Sequence, residues 1–469
     1  IASRDTSILV SAGAGSGKTA VLTERILEIL KEGHSILDLI VLTFTNAAAK
    51  EMKDRVKKKL LEAIPNGYPE LQKELQLLDL ASICTFDSFS LNLVKKYHYL
   101  LGIEKDLAIG DGILIEALKQ ESMDETFQTF YEQDNPEFLK LLDTFTVKDD
   151  TKVRKIILNL ANSLTSRIHI EQELEDCYQN CNREEIQKQL DQYIEEIKNQ
   201  VKTVIEEINQ GLESAPEPLL PILEQLKAEI ELHQNSYEEI ASVFRTIKLP
   251  TLPRSKEIDD DIKDKMKEIY QDIKKQIQEI TSLCVYANRE SYIEEVLKTK
   301  ETIGILKDIL KVYFEKLLLK KKKQNIYEFH DIGRFAIQLL EEHEDIRTDY
   351  QNHIYEIMID EYQDTNDIGT YFVSMIENNN VYTVGDVKQS IYRFRNANPN
   401  IFMNKFYRYQ KNDGGKLITL SKNFRSRKEV VDAINFIFQA VMDEKVGGVH
   451  YFNQEEMIFG NLSYEKVKD

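Results

Sequence analysis

Residues 8–19 read ILVSAGAGSGKT. An apolar run leads into a loop of small residues, and a helical pattern opens at Gly17-Lys18-Thr19. This order and spacing predict a P-loop, in which backbone N–H groups surround a phosphate and the helix N-terminus adds its dipole. Lys18 is expected to neutralise the β- and γ-phosphates, and Thr19 to ligate Mg²⁺. The alternative is a glycine-rich turn. The candidate nucleotide-binding residues of this loop are Ala12, Gly13, Ala14, Gly15, Ser16, Gly17, Lys18 and Thr19.

A second acidic motif supports the P-loop interpretation. Residues 357–364 read IMIDEYQD, an apolar run that ends in two adjacent carboxylates. Successive residues of a strand point to opposite faces, so the two carboxylates are free to take different roles. Asp360 is expected to hold Mg²⁺ through water, and Glu361 to orient and deprotonate an attacking water. The alternative is a solvated, acidic strand end.

Short apolar runs alternate with helical patterns near both ends of the chain, and this predicts an α/β fold with a parallel sheet. The predicted strands are 8–10, 39–43, 82–86, 354–359, 381–384 and 417–420, and the first predicted helices are 20–31, 47–63 and 89–101. Between the two groups lies a long, mostly helical insertion. Two apolar seams at helical spacing, 186–208 and 262–280, favour helices that pack within the molecule over helices that dimerise.

Composition excludes several classes of protein. The chain has 469 residues, 42% of them hydrophobic, and a net charge of −19, which argues against a uniformly basic surface but leaves room for a local basic groove. No apolar run reaches the length of a membrane span. Four cysteines without a framework pattern indicate a reducing, cytoplasmic location. Because the chain begins with Ile1, we expect it to be part of a longer protein.

A third stretch, residues 384–399, reads VGDVKQSIYRFRNANP and follows a predicted strand. Gln389 lies where an amide is expected to contact the γ-phosphate or the attacking water. Tyr392, Phe394 and Arg395 follow closely, and aromatic stacking suits a nucleic-acid base of any sequence. The alternative for Phe394 is a place in the core. This stretch is expected to link the nucleotide to a bound polymer.

Five motifs together resemble those of the UvrD/Rep family of superfamily 1 DNA helicases. They occur in the order seen in that family. Among its members, the sequences of these motifs are most similar to those of AddA-type helicase–nuclease subunits, and RecB is the next most similar. The motifs are SAGAGSGKT (11–19), TFTNAAAKEM (43–52), DEYQDTN (360–366), VGDVKQSIYRFR (384–395) and LSKNFRSR (420–427). The resemblance implies a RecA-like P-loop NTPase sheet with a large inserted helical subdomain.

The resemblance also implies domain boundaries. Residues 1–105 and 326–412 correspond to the two parts of motor domain 1A, 106–325 to an inserted subdomain 1B, and 413–469 to the start of motor domain 2A. The rest of 2A, domain 2B and a nuclease domain are then expected outside this chain.

Further site residues are implied by the resemblance alone. Phe424 matches an aromatic that packs on adenine, and Arg425 matches an arginine that reaches the γ-phosphate, beside Lys18, Glu361 and Gln389 as the catalytic set. Two departures from the family pattern, Ala47 for a lysine and Asp87 for a histidine, fall next to the implied DNA contacts. The implied DNA-binding residues are Phe44, Thr45, Asn46, Thr85, Phe86, Tyr392, Phe394 and Arg395.

The function implied is an ATP- and Mg²⁺-dependent DNA helicase that acts on duplex ends for recombinational repair. Its implied partners are single-stranded DNA, duplex DNA ends and a second, AddB-type subunit. The alternatives are a nucleotide- and DNA-binding fragment without turnover, and a RecB-, UvrD- or Rep-type repair helicase that acts without a nuclease. An SMC- or Rad50-like ATPase also carries long inserted helices, but its LSGGQ-type signature does not occur in this sequence.

Overall fold

The computed structural model describes residues 1–4, 6–145, 149–252, 259–442, 451 and 456–461. The strands are β1 Ile8–Ala12, β2 Leu39–Thr43, β3 Ser82–Thr85, β4 Ala108–Ile109, β5 Ile326–Tyr327, β6 Glu356–Ile359, β7 Val381–Gly385, β8 Lys416–Leu420, β9 Lys422–Asn423 and β10 Ile458–Phe459. The helices are α1 Lys18–Lys31, α2 Asn46–Ala63, α3 Leu71–Leu77, α4 Phe86–Lys96, α5 Gly112–Glu132, α6 Pro136–Phe145, α7 Thr151–Leu164, α8 Ile170–Asn180, α9 Arg183–Ser214, α10 Leu220–Glu231, α11 Tyr237–Thr246, α12 Asp260–Leu283, α13 Arg289–Gln324, α14 Phe329–Glu342, α15 Glu344–His353, α16 Asp367–Ile376, α17 Pro399–Gln410 and α18 Lys428–Val441.

The central sheet has six parallel strands in the order β3-β2-β6-β7-β1-β8. Four of them (β1, β2, β6 and β7) are buried along their whole length, as expected for parallel strands covered on both faces. The predicted parallel α/β fold with helical insertions is therefore confirmed. Because all six strands run the same way, the segments that follow β1, β2, β6 and β7 lie at one edge of the sheet.

Several predicted element boundaries differ from the structure. Ile354 and Tyr355 were expected in a strand, but β6 begins only at Glu356, after helix α15. Phe86 was expected at the end of a strand, but it is the first residue of α4, because the Thr85 side chain accepts a hydrogen bond from Ser88 N–H and caps that helix. The helix expected over 89–101 ends at Lys96 and is followed by a single 3₁₀ turn.

The residues expected to open a second motor domain at 413 begin with β8. This strand pairs with β1 from Ile8↔Lys416 to Ala12↔Leu420 and so completes the same six-stranded sheet. The division of the chain at 105, 325 and 412 into motor and inserted domains stays a prediction.

The chain divides into two compact units. The first comprises 1–125, 158–168 and 315–469 and contains the six-stranded sheet, and the second comprises 126–157 and 169–314. In the second unit the two predicted seams, on α9 and α12, belong to one apolar core. Gly211 of α9 allows this close packing, since a Cβ there would lie 3.2 Å from the side chains of both Ile269 and Leu223. The seams therefore pack within the molecule.

Among the described residues, no helix combines the length and the apolar character that crossing a membrane requires.

Candidate nucleotide and DNA site

The loop between β1 and α1 has the features of a phosphate cradle. Gly15 and Gly17 adopt positive φ angles of 70° and 89°, a region that side chains with a Cβ rarely enter. Helix α1 has no side-chain cap at its N-terminus, so its first N–H groups are left to an external acceptor. The Ser16 hydroxyl is buried and has no hydrogen-bond partner among the described residues. These donors fit an anionic phosphate.

Lys18 and Glu361 come together where β1 and β6 end. The Lys18 ammonium lies 2.8 Å from Glu361 Oε2. Glu361 has φ 51° and ψ 48°, a left-handed conformation that costs a residue with a Cβ of the order of 1–3 kcal/mol. Asp360, just before it, donates its N–H to the carbonyl of Leu42 in β2 at 3.0 Å. The two adjacent carboxylates have different partners, since Asp360 Oδ1 accepts from the N–H of Glu361 at 3.0 Å, whereas Glu361 Oε2 contacts Lys18.

Burial raises the pKa of two carboxyl groups beside this ion pair. The pKa of Asp360 rises to about 6, because the group is desolvated and lies next to the charge of Glu361. The pKa of Asp364 also rises to about 6 for the same two reasons. A cation bound nearby would relieve this concentration of negative charge. Asp360 and the Thr19 hydroxyl are therefore chemically suited to hold Mg²⁺.

Gln389, the predicted γ-phosphate contact, is held by Asp386. Its Nε2 donates to Asp386 Oδ2 at 2.7 Å. Asp386 is itself buried, and its other oxygen contacts the Lys388 ammonium at 2.9 Å. The amide of Gln389 thus lies in a polar network directly after β7.

The segment around β9 is hydrogen-bonded to the P-loop. Asn423 is buried and donates from Nδ2 to the carbonyl of Ala14 at 2.8 Å, and Phe424 donates its N–H to the carbonyl of Gly15 at 2.9 Å. Asn423 Oδ1 accepts from the N–H of Arg425 at 2.9 Å. The side chains of Phe424 and Arg425 are exposed beside the loop. Asn423 was not predicted as a site residue. It directly precedes Phe424 and Arg425, the two residues matched to the family, and this position could have indicated a role beside the P-loop.

An aromatic series follows β2 and β7. The ring centroids of Phe44 and Tyr392 lie 4.4 Å apart, and those of Tyr392 and Phe394 lie 5.8 Å apart. Phe394 is 77% exposed, so it belongs to the surface and not to the core. The side chain of Arg395 lies outside the described part of the structure.

The remaining candidate DNA residues differ in how accessible they are. Asn46 is exposed on the first turn of α2. Thr45 and Thr85 use their hydroxyls to cap α2 and α4. Phe86 packs edge-on against Phe372, with 5.5 Å between ring centroids. A cavity of about 100 Å³ at the carboxyl edge of the sheet is lined by residues of both predicted sites, namely Phe44, Thr85 and Phe86 of the DNA site and Asp360 and Glu361 of the nucleotide site. Asp87 and Asp364 also line it.

One further acidic cluster, Glu328, His330 and Asp331, has donor atoms close enough to hold a metal ion. Its carboxylates are already paired, since the buried Lys321 contacts both Glu328 and Asp331. Asp331 also pairs with Arg334 at 2.7 Å. This cluster is a structural ion-pair network that joins the end of α13 to the start of α14.

Comparison with known proteins agrees with this arrangement. The profile of the UvrD/REP helicase N-terminal domain matches residues 1–212 and 222–410. The chain belongs to the UvrD/Rep helicase family. Three proteins from Clostridium botulinum, Listeria monocytogenes and Clostridium kluyveri, each named as one subunit of an ATP-dependent helicase/nuclease, are 32%, 32% and 34% identical to it, over 100%, 99% and 98% of this chain.

The matched region is a part of each of these relatives. The chain spans 41%, 40% and 40% of the length of the three proteins. The P-loop, the acidic pair after β6 and the segment after β7 all lie within the part that matches the UvrD/Rep profile.

Proposed function

We propose that this chain forms the ATP-driven motor of an AddAB-type helicase–nuclease, which unwinds and processes duplex DNA ends for recombinational repair. The observation that carries the proposal is the arrangement at one edge of the sheet. Lys18 meets Glu361 at 2.8 Å after β1 and β6, and an aromatic series that ends in the exposed Phe394 follows the neighbouring β7. A nucleotide site and a base-stacking surface are thus built on adjacent strands.

In this proposal the P-loop binds the phosphates of ATP. The uncapped N-terminus of α1 and the Ser16 hydroxyl donate to phosphate oxygens, and Lys18 neutralises the β- and γ-phosphates. Thr19 and Asp360 hold the Mg²⁺ ion, which, when bound, stabilises negative charge on the phosphates. Phe424 packs on the adenine, beside the P-loop segment to which it is hydrogen-bonded.

Glu361 is the proposed general base. Its carboxylate accepts a proton from the attacking water once Lys18 has turned to the phosphates. Gln389 orients that water or contacts the γ-phosphate, and Arg425 supplies a positive charge to the transferring phosphoryl group. The terminal phosphate leaves as inorganic phosphate and ADP remains.

Single-stranded DNA is the proposed polymer on the aromatic series. Phe394 and Tyr392 offer stacking faces, Arg395 is the proposed backbone contact, and Asn46 adds an exposed amide near Phe44. Thr45, Thr85 and Phe86 would contribute mainly through their backbone, since their side chains cap helices or pack in the interior. Phe394 follows Gln389 by five residues, and in this proposal that short segment links the state of the nucleotide to the position of the DNA.

We further propose that the motor domain comprises 1–105 and 326–412, with 106–325 as its inserted subdomain and 413–469 leading into a second motor domain. The second, AddB-type subunit and a cytoplasmic location belong to this proposal. A second candidate is nucleotide and DNA binding without turnover by these 469 residues alone. The length of the chain favours it, because the chain spans only about 40% of the relatives it matches.

One variant, made in the chain extended to the length of its relatives, and one comparison of chain lengths test the proposal. Lys18→Ala is expected to abolish ATP binding or turnover and leave the fold intact, as measured by fluorescent-nucleotide titration and circular dichroism. If the ATP affinity of Lys18→Ala is unchanged, the assignment of this loop as the phosphate-binding P-loop is wrong. The second candidate, binding without turnover, would be supported if the extended chain hydrolyses ATP and the 469 residues alone do not, although both bind ATP with equal affinity.

A further inference from the structure

Gln363 is a buried polar side chain in the 3₁₀ turn directly after Glu361, and it is 1% exposed. Its Nε2 donates to Glu361 Oε2 at 2.8 Å and to Asp364 Oδ2 at 3.2 Å. Its Oε1 accepts the N–H of Asp386 at 2.9 Å. An amide has two N–H donors and one carbonyl acceptor, so every polar group of this side chain is used and the amide has one orientation.

The same amide connects the ends of two neighbouring strands. Glu361 follows β6, and Asp386 follows β7 and holds the Gln389 amide at 2.7 Å. The main chain adds a second link, since the Ser390 hydroxyl donates to the Gln363 carbonyl at 3.2 Å. A continuous series of hydrogen bonds therefore runs from Glu361 through Gln363 and Asp386 to Gln389.

Gly385 leaves the space that this amide needs. A Cβ at Gly385 would lie 2.5 Å from Gln363 Oε1 and 3.1 Å from the backbone nitrogen of Tyr362. The closest atom belongs to the amide itself, so a methyl group there would displace the amide, and it would also press on the Phe402 ring at 3.1 Å. This gives a way to perturb the Gln363 hydrogen bonds without changing Gln363.

We propose that Gln363 is a positioning residue that fixes the Glu361 carboxylate and couples it, through Asp386, to Gln389 and the aromatic series beyond. The inference rests on the proposed function, in which Glu361 is the general base. Oε2 of Glu361 already accepts from Gln363 and Lys18, so departure of Lys18 to a bound phosphate leaves the carboxylate anchored by the amide alone. A base held in this way keeps its orientation when the nucleotide arrives.

The test uses Gln363→Met and Gln363→Glu in the chain extended to the length of its relatives. Gln363→Met keeps the length of the side chain and removes the amide. It is expected to lower the kcat for ATP roughly 10–100-fold and to change the KM for ATP less than about threefold, because the base and not the phosphate cradle is misplaced. Stimulation of turnover by single-stranded DNA is expected to fall in the same variant.

Gln363→Glu tests the positioning role through the pH dependence of turnover, which would not change if Gln363 were purely structural. The carboxylate loses both donors at neutral pH but regains one on protonation. The carboxyl of Asp364, whose pKa is raised to about 6, loses the Gln363 amide in both variants. The turnover of Gln363→Glu relative to that of Gln363→Met is therefore expected to rise as the pH falls from about 8 to about 6. Gly385→Ala, which pushes the amide away from Asp386, is expected to reproduce the loss of kcat.

The matched control is Thr383→Val in β7. It removes one buried side-chain hydrogen bond, from the Thr383 hydroxyl to the Ile8 carbonyl at 3.1 Å, where Gln363→Met removes three. In the part of the chain that the structure describes, the Thr383 side chain has no hydrogen bond to Glu361. The proposal is overturned if Gln363→Met keeps the original kcat and DNA stimulation within about twofold, or if it and Thr383→Val lose turnover only in proportion to folded protein. Turnover retained by Glu361→Gln would instead overturn the proposed function.

Discussion

The ammonium of Lys18 lies 2.8 Å from the carboxylate of Glu361, and the Lys18 side chain is 11% exposed. A nucleotide that takes Lys18 must therefore break an existing ion pair. The pair is partly solvated on the Glu361 side, so it contributes about 0–1 kcal/mol. Nucleotide binding and release of the proposed base are thus one event.

We expect Glu361→Gln to bind ATP as tightly as the unchanged protein, or up to about fivefold more tightly, while losing turnover. The reason is that neutral glutamine no longer competes with phosphate for Lys18. Equilibrium titration with a fluorescent ATP analogue measures the affinity, and Glu342→Gln, an exposed acid on α14, is the control. ATP binding weakened tenfold in Glu361→Gln would contradict this interpretation of the ion pair.

Phe394→Ala is expected to weaken binding of single-stranded DNA by about 1–3 kcal/mol, equally for different base sequences. The ring is 77% exposed and adjoins Tyr392, so its loss removes a stacking face without opening the core. Fluorescence anisotropy with labelled oligonucleotides checks this. Tyr99→Ala removes another exposed aromatic, 64% exposed, and serves as the control. If Phe394→Ala and the unchanged protein bind single-stranded DNA with equal affinity, the DNA does not stack on Phe394.

Lys321→Met is expected to lower the free energy of unfolding by about 1–3 kcal/mol, because the buried Asp331 and the half-buried Glu328 lose their shared cation. The loss is limited because Arg334 still pairs with Asp331 and Lys119 with Glu328. Urea unfolding followed by circular dichroism measures the change. Lys322→Met, at the neighbouring exposed position, is expected to have little effect. A similar small effect for both variants would mean that the network is not a stabilising one.

His330 is expected to contribute a loss of stability as the pH drops from about 6.5 to about 4. Asp360 and Asp364, whose pKa is raised to about 6, contribute in the opposite direction over the lower part of this range. Burial lowers the pKa of His330 to about 4 despite the nearby charges of Asp331 and Glu328. The unfolded chain, with an ordinary histidine pKa of about 6.5, then binds more protons than the folded one across this range. Urea midpoints at pH 7, 5.5 and 4.5 measure the dependence.

His330→Asn is expected to flatten that part of the pH dependence, and the exposed His353→Asn is the control. A further loss of stability is expected below about 3.8. The charges of Lys321, His330 and Arg334 outweigh the effect of burial on Asp331 and lower its pKa to about 2, so protonation of Asp331 opposes folding there. An unchanged pH profile in His330→Asn would assign the acid sensitivity to other groups.

The sequence predicts the sheet well because each of its strands carries a strong local signal. Leu39–Thr43 is an unbroken apolar run and forms β2 at the predicted residues. The P-loop and the acidic pair are predictable because their chemistry requires fixed neighbours along the chain. The seams on α9 and α12 are predictable for the same reason, since helical spacing alone places their apolar residues on one face.

The rest depends on contacts between distant residues. Lys321 has the appearance of a solvated lysine in the run 320–323, and only the fold shows that it is buried between Glu328 and Asp331. Nothing in the sequence around Thr85 distinguishes it from a surface threonine, yet its hydroxyl caps α4. Asn423 contacts the P-loop from more than 400 residues away in sequence, a separation that local patterns do not encode.

Phosphate release from ATP, with and without single-stranded DNA, tests the central claim most directly. The assay compares the chain extended to the length of its relatives with the same chain carrying Glu361→Gln. The account predicts DNA-stimulated phosphate release that is lost in Glu361→Gln although ATP still binds. Phosphate release that is independent of DNA, or that survives in Glu361→Gln, would contradict it.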